Sequence, residues 1–485
     1  MTEPSAIAVP PVRRLATGTM LAYAVGAIAY GVKDNGFGTF LLLFYNQVLG
    51  LPSAAVGLVV MAALVVDAMV DPAIGFLSDR TRSRWGRRHP WMYAAPVPIA
   101  IGWILLWNPP ALSEPVMLAW LFVTAVIVRS AVSAYEVPSV ALTAELTSDY
   151  DERTRIMAYR YLFGWAGGLA MLMAAYTIFL PSDAAHPLGL LDRRGYAAMA
   201  WAAAAAIVVA ILVSAIGTHR EIARLPPATP SSQTLSANLR ELRETVRNRG
   251  FAVLMLAGLC LYTDQGISFA LSTYLYGHVW RFSGTAYSWL ALALLAGAAM
   301  AFAVAPRLGA RFGKPVSAMV LMLAAVFLLV LPYALRLFGL FPAPHDAAML
   351  PVLMTIFAIN TACNVASMIL GASMMADVVE ESEQRTGRRS EGVFFAGAFF
   401  IQKCTTGVGI FTASMILTAA RFPAGRAPGQ VAPATVDRMT IVFCAVYAVL
   451  GVVGAILYAR FPFGKREHEA RVAAVATESN ALANG

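Results

Sequence analysis

Charge is scarce in this sequence: 13% of its 485 residues are Asp, Glu, Lys or Arg, against 59% apolar residues and a mean hydropathy of +0.66. Spread along almost the whole chain, so little charge excludes an ordinary solvated surface and points to a polytopic membrane protein. Strand-type alternation is missing too. Spans must then be helices, because backbone facing lipid has to satisfy its own hydrogen bonds. Cysteine is limited to Cys260, Cys363, Cys404 and Cys444, each alone in an apolar run, which argues against disulfide staples and CxxC metal sites. The six histidines show no HExxH or other ligand spacing. A GxSxG elbow and a P-loop are absent, so neither an acyl hydrolase nor an ATPase carrying its own motor domain is expected, and no metal or cofactor is implied beyond a coupling ion. The opening MTEPSAIAVPPVRR lacks the apolar core of a cleavable signal peptide.

What is present is a succession of apolar runs divided by Pro, Gly and charge. They place helices near 19–49, 54–78, 91–109, 115–146, 154–180 and 195–217, then near 250–280, 284–305, 315–335, 348–381, 391–419 and 434–461. The expected fold is therefore an all-α membrane protein with twelve transmembrane helices in two pseudo-symmetric six-helix bundles. The chain divides into an N-terminal bundle (1–217), a linker (218–249), a C-terminal bundle (250–462) and a tail (463–485). In the linker, Leu235, Leu239, Leu242 and Val246 recur at helical spacing among arginines, the pattern of a short amphipathic helix on the membrane surface. GFLSDRTRSRWGRRHP after the second helix and APRLGARFGKP after the eighth are matching basic turns, an internal echo of one half in the other.

Most of the 36 Lys and Arg residues fall on the N-terminus, alternate loops including 80–88, the linker and the C-terminus. Both termini are thus expected to be cytoplasmic, in the inner (plasma) membrane. The net charge of +9 is read as this topology signal and not as a nucleic-acid footprint.

The informative residues are charges inside the apolar runs: Lys33, Asp34, Asp67, Asp71, Arg129, Glu136, Arg160, Asp264 and Lys403. Each costs roughly 2.5 to 3.5 kcal/mol at a helix centre, so such groups pair or line a wet cavity. Four positive against five negative charges leave one negative unmatched, as a site receiving one cation would. Asp67 and Asp71, at i and i+4, share one helix face and repel each other, which favours taking up a cation; permanent pairing with Lys403 or Arg160 is the purely structural alternative. Arg129 lies seven residues before Glu136 on the same face, and an ion pair between them is a second structural alternative. Asp264, in LYTDQG, sits near an expected helix break. Tyr30, Tyr135, Tyr262, Tyr274 and Trp165 are candidate platforms for a sugar ring, or ordinary packing.

The segments KDNGFG, LLLFYNQVLGLP, DAMVDPAIGFLSDRTRSRWGRRHPW, YEVPSVALTAEL, DERTR and EGVFFAGAFFIQK resemble the glycoside-pentoside-hexuronide:cation symporter family, the branch of the major facilitator superfamily that includes melibiose permease. The resemblance runs over roughly residues 17–465. It implies the major facilitator fold, alternating access, and import of a small glycoside or related polar solute with H+ or Na+ by a monomer in the lipid bilayer. Carried over by position, it places cation-binding carboxylates at Asp67 and Asp71, and substrate ligands at Lys33, Asp34, Glu136, Arg160 (with Tyr161 as rival) and Lys403. Glu136 stands where melibiose permease has Asp. Arg129, Asp264, Tyr30 and Tyr135 are further candidates for substrate or coupling. Asp79, Arg80, Arg84, Arg87 and Arg88 would form a cytoplasmic gate, with the charged run 376–392 as its counterpart; plain positive-inside topology is the simpler reading of those arginines. Sodium-using relatives carry an asparagine immediately before the second aspartate, and Val70 occupies that position here. Valine supplies no oxygen and Ser133 could restore one, so a proton is favoured over sodium. The same residues leave room for a lysophospholipid-like cargo or drug/H+ antiport. They offer little to an intramembrane enzyme, since the charges are dispersed with no nucleophile or metal motif beside them.

Overall fold

The computed structural model describes residues 15–147, 149–181, 189–222, 248–344, 346–386, 391–426 and 429–462. The expected linker helix, the gate counterparts Arg388 and Arg389 and the C-terminal tail lie outside them. Eleven helical stretches are long and apolar enough to cross a membrane: Ser53–Arg80, His89–Trp107, Glu114–Thr143, Arg155–Phe179, Arg193–His219, Arg249–Val279, Gly284–Phe312, Lys314–Leu337, Met349–Arg385, Gly397–Ala419 and Pro433–Ala459. The twelfth is the N-terminal one, expected as a single helix over 19–49. It is instead a chain of short pieces, Thr17–Val25 and Ile28–Asn35 followed by π-helical turns at Gly36–Phe40 and Phe44–Val48 around Leu41–Leu43. A π turn inserts an extra residue into the helical repeat and is frequent at functional sites. Here the first follows directly on Lys33 and Asp34. The expected 91–109 helix is also divided, into His89–Ala94 and Pro96–Trp107, because Pro96 and Pro98 cannot donate to the helix ladder.

The first two spans of each half repeat one another at one offset. The π turn Phe44–Val48 has its counterpart in Leu275–Val279, and the helix opening at Ser53 has its counterpart in the one opening at Gly284; the starts, 44 against 275 and 53 against 284, differ by 231 in both cases.

Packing between the halves runs from the end away from the 80–88 loop to the level of Lys403, with Gly57 against Ser414 and Gly407 against Leu64. One apolar core runs through the N-terminal half and continues into the outer parts of the C-terminal half through Tyr274, Tyr287, Ile410 and Ile416, whereas a second core around Phe251, Met374, Phe394 and Tyr458 belongs to the C-terminal half alone. Polar bonds across the outer end join Tyr274 to Asn46 (2.9 Å), Gln47 to the Pro423 carbonyl (3.2 Å) and Ser53 to Thr418 (3.0 Å). The rings of Tyr176 and Tyr287 stack across it at 4.0 Å. Among the described residues the halves thus meet at the end away from the 80–88 loop and at Lys403, and no polar contact joins them nearer that loop.

Candidate transport site

Lys403 of the eleventh span crosses the interface between the halves. Its Nζ lies 2.6 Å from Asp71 Oδ2 and 3.1 Å from Asp67 Oδ2 on the second span, and 3.3 Å from Ser133 Oγ on the fourth. Asp67 is buried at 1% exposure. It accepts from Arg129 Nε at 2.8 Å and from Ser133 Oγ at 2.9 Å, with the Arg129 terminal nitrogen a further 2.8 Å contact. Two cations and a hydroxyl therefore surround one carboxylate, and such charge-assisted bonds are the strong ones. Asp71 is different. It is 22% exposed, Lys403 is its ion-pair partner, and its Oδ1 has no hydrogen-bond partner among the described residues.

This arrangement corrects two expectations. The repulsion expected between Asp67 and Asp71 is offset by Arg129 and Lys403, which makes the two carboxylates unequal rather than an interchangeable pair. Arg129 pairs with Asp67 and not with Glu136: seven residues along a helix is a rise of about 10.5 Å, which keeps the two on one face but out of contact.

On the first span, Lys33 is 2% exposed and pairs with Asp34 at 2.8 Å, its ammonium 4.5 Å from the centre of the Tyr30 ring. Asp34 is about one-third exposed and lies beside the Tyr30 hydroxyl. Glu136 is half-buried, lies in the field of Lys33, Lys403 and Arg160, and makes no ion pair among the described residues. Arg160 donates to Ser139 Oγ at 2.9 Å and sits over the Tyr23 ring, whose hydroxyl is held by the Ser139 carbonyl and Thr143. Tyr161, the rival at that position, is 57% exposed and lies near both Arg160 and Glu136, and Tyr262 of the other half lies near Tyr161. Trp165 is exposed one turn further along the same face. Hydroxyl-binding groups and exposed rings thus occur together in the middle of the molecule.

Two of the aromatic candidates present no exposed ring. Tyr135 is buried in the N-terminal half with its hydroxyl against Gly26, and Tyr274 is fully buried in the outer closure. Asp264 also stands apart, within the unbroken helix Arg249–Tyr274, so the helix break expected beside it does not occur.

The gate residues bond within their own half. Arg88 contacts Asp79 at 2.5 Å, Ser78 at 2.7 Å and Glu145 at 2.8 Å, and Arg87 reaches Glu145 at 2.9 Å. Arg80 lies over the Phe76 ring and Arg84 over the Trp85 ring. In the other half Lys314 pairs with Asp377 at 2.6 Å and Asn248 donates to Glu381. No bond of the latch expected between the halves occurs among the described residues, and Arg388 and Arg389 lie outside them. Its members instead tie each basic turn to the end of the fourth or tenth span, matching the internal echo of the sequence. Sequence reasoning missed Asn46, Tyr176, Tyr287 and Thr418 at the outer closure, since neutral residues in apolar runs give no cost signal.

The family described as MFS/sugar transport protein matches residues 22–465. An uncharacterized symporter of Synechocystis is 27% identical over 93% of this chain and 95% of its own length. The isoprimeverose transporter of Lactiplantibacillus pentosus is 25% identical over 84% of this chain and 81% of its own. Among solved structures, a D-xylose-proton symporter superposes with a TM-score of 0.63 at 14% identity, covering 92% of this chain and 97% of that one, a likeness of fold.

Proposed function

The chain belongs to the MFS/sugar transport protein family, and on that premise we propose that it imports a small glycoside or related polar solute together with a proton, by alternating access of its two halves. It is a transporter and not an enzyme. The observation that carries the coupling is the Lys403 bridge, which joins the C-terminal half to Asp71 and Asp67 of the N-terminal half.

Asp71 is the proton acceptor in this reading, because it is the more exposed carboxylate and keeps an oxygen free of partners. A proton on Asp71 removes the charge that holds Lys403 and slackens the bridge; loss of the proton restores it. The state described here, with Lys403 seated on Asp71, is the one that follows proton release. Asp67 keeps its charge, held by Arg129, and anchors Lys403 in both states. Sodium fits the cluster less well: Asp67 is already enclosed by Arg129, Ser133 and Lys403, and Val70 beside Asp71 supplies no oxygen, whereas sodium needs several at once.

Asp34 and Glu136 would accept hydrogen bonds from adjacent hydroxyls of the solute and Arg160 would donate to ring or glycosidic oxygens, with Tyr30, Tyr161 and Tyr262 against its apolar faces. The naming of a similar protein as an isoprimeverose transporter supports a glycoside cargo. Uptake of radiolabelled isoprimeverose, melibiose and a methyl glucuronide into proteoliposomes, with imposed pH or sodium gradients, tests cargo and ion together. Absence of gradient-driven uptake across the panel would count against a glycoside.

A further inference from the structure

Asp264 is the one intramembrane charge of the sequence that the central cluster does not absorb. It is 4% exposed, its Oδ1 has no hydrogen-bond partner, and no Lys, Arg or His pairs with it among the described residues. Its other oxygen faces the twelfth span, where Gly451 leaves the space: a Cβ added there would come to 3.5 Å from Asp264 Oδ2 and would strike Val326 of the ninth span. One turn before Gly451, Tyr447 lies near Asp264 and near the Asn364 side chain of the tenth span. Asn364 in turn donates to the Asn360 carbonyl at 3.2 Å, and Asn360 to the Ala325 carbonyl at 2.7 Å. A string of polar groups thus runs from the seventh span through the twelfth and tenth to the ninth, inside the C-terminal half.

The titratable groups that bear on Asp264 are Cys260, one turn earlier on its own helix, and Tyr447. The eleventh span approaches that helix through Gly409, which packs on Gly266, and the first span through Gly38 against Phe269; of their cations, Lys403 is paired with Asp67 and Asp71, and Lys33 with Asp34. An ionised carboxylate so enclosed, without a counter-ion among the described residues, carries a desolvation penalty that the neutral acid avoids. The 231-residue offset of the first and seventh spans maps Asp264 onto Lys33, and both are buried.

We propose that Asp264 is a proton-binding site inside the C-terminal half, holding a resident proton on its carboxyl in this conformation and separate from the Asp67, Asp71 and Lys403 cluster. Loss of that proton would place a bare charge at the glycine contact between the seventh and twelfth spans and loosen the half. The inference does not depend on cargo or coupling ion.

Infrared spectroscopy of the full chain in lipid at neutral pH tests it. The expected result is a protonated-carboxyl C=O band that shifts in D2O, disappears in Asp264→Asn and moves in Asp264→Glu. Thermal unfolding provides the second readout: the Tm of wild type should fall between neutral and alkaline pH by more than that of Asp264→Asn, which has no proton to lose. Spectra in which neither substitution alters a protonated-acid band would overturn the proposal, as would a Tm difference that is the same at both pH values. If Asp264→Asn fails to assemble, the band shift in Asp264→Glu decides alone.

Discussion

Lys403 makes the two aspartates of the second span do different work. Asp71→Asn imitates a permanently protonated carboxyl, so exchange of labelled for unlabelled solute should persist while gradient-driven accumulation is lost. Asp67→Asn should behave otherwise. It leaves Arg129 buried at 5% exposure without its counter-charge, and breaking a buried pair from one side costs about 3–5 kcal/mol. The expected outcome is a sharp loss of thermal stability in detergent extracts, with Arg129→Met showing the same defect. Asp34→Asn and Glu136→Gln should fold normally and weaken solute affinity; a charge-assisted hydrogen bond of about 1.5–3 kcal/mol corresponds to roughly 10- to 150-fold in Kd, measurable by equilibrium binding. The charges themselves were legible, because an ionisable residue in an apolar run is expensive and needs a reason. Their partners were less so. The bridge from Lys403 to an aspartate of the second span was foreseeable as one alternative, but the Arg129 to Asp67 pair joins two helices 62 residues apart in sequence, and helical spacing pointed instead to Glu136.

At the level of elements, the interrupted first span is where sequence and structure part furthest. Its apolar run promises one long helix, and nothing in hydropathy distinguishes an α turn from a π turn. What could have marked the interruption is recurrence, since FYNQV and LYGHV end the first and seventh spans in the same geometry. The first of those turns delivers Asn46 and Gln47 to the closure, Tyr274 meets Asn46 from the helix end just before the second, and the Tyr176 and Tyr287 stack completes it. An aromatic pair is worth about 0.5–1.5 kcal/mol beyond its area, so Tyr176→Ala should shift the balance towards an outward-open state by roughly 2- to 13-fold. Labelling of a Gln47→Cys variant by a membrane-impermeant maleimide from outside should accelerate by that order when Tyr176→Ala is added. An unchanged rate would remove the stack from the gate.

The molecule is two repeats packed together, with Lys403 reaching across their middle. The twelve-span plan and its division into halves followed from apolar run length and from the echo of basic turns. The conformational state did not, because it depends on which weak contacts between halves are made at a given moment. Closure at the 80–88 end would bring the Asp79, Arg88 and Glu145 network towards Lys314 and Asp377, so cross-linking of cysteines placed on those two turns should increase when the cargo is added. Proton-coupled import through the Lys403 bridge is tested most directly by external pH, recorded in a weakly buffered, sodium-free suspension of cells making the protein as isoprimeverose or melibiose is added. Alkalinisation on addition, abolished by Asp71→Asn, is the predicted result; a signal that appears only once sodium is supplied would contradict it.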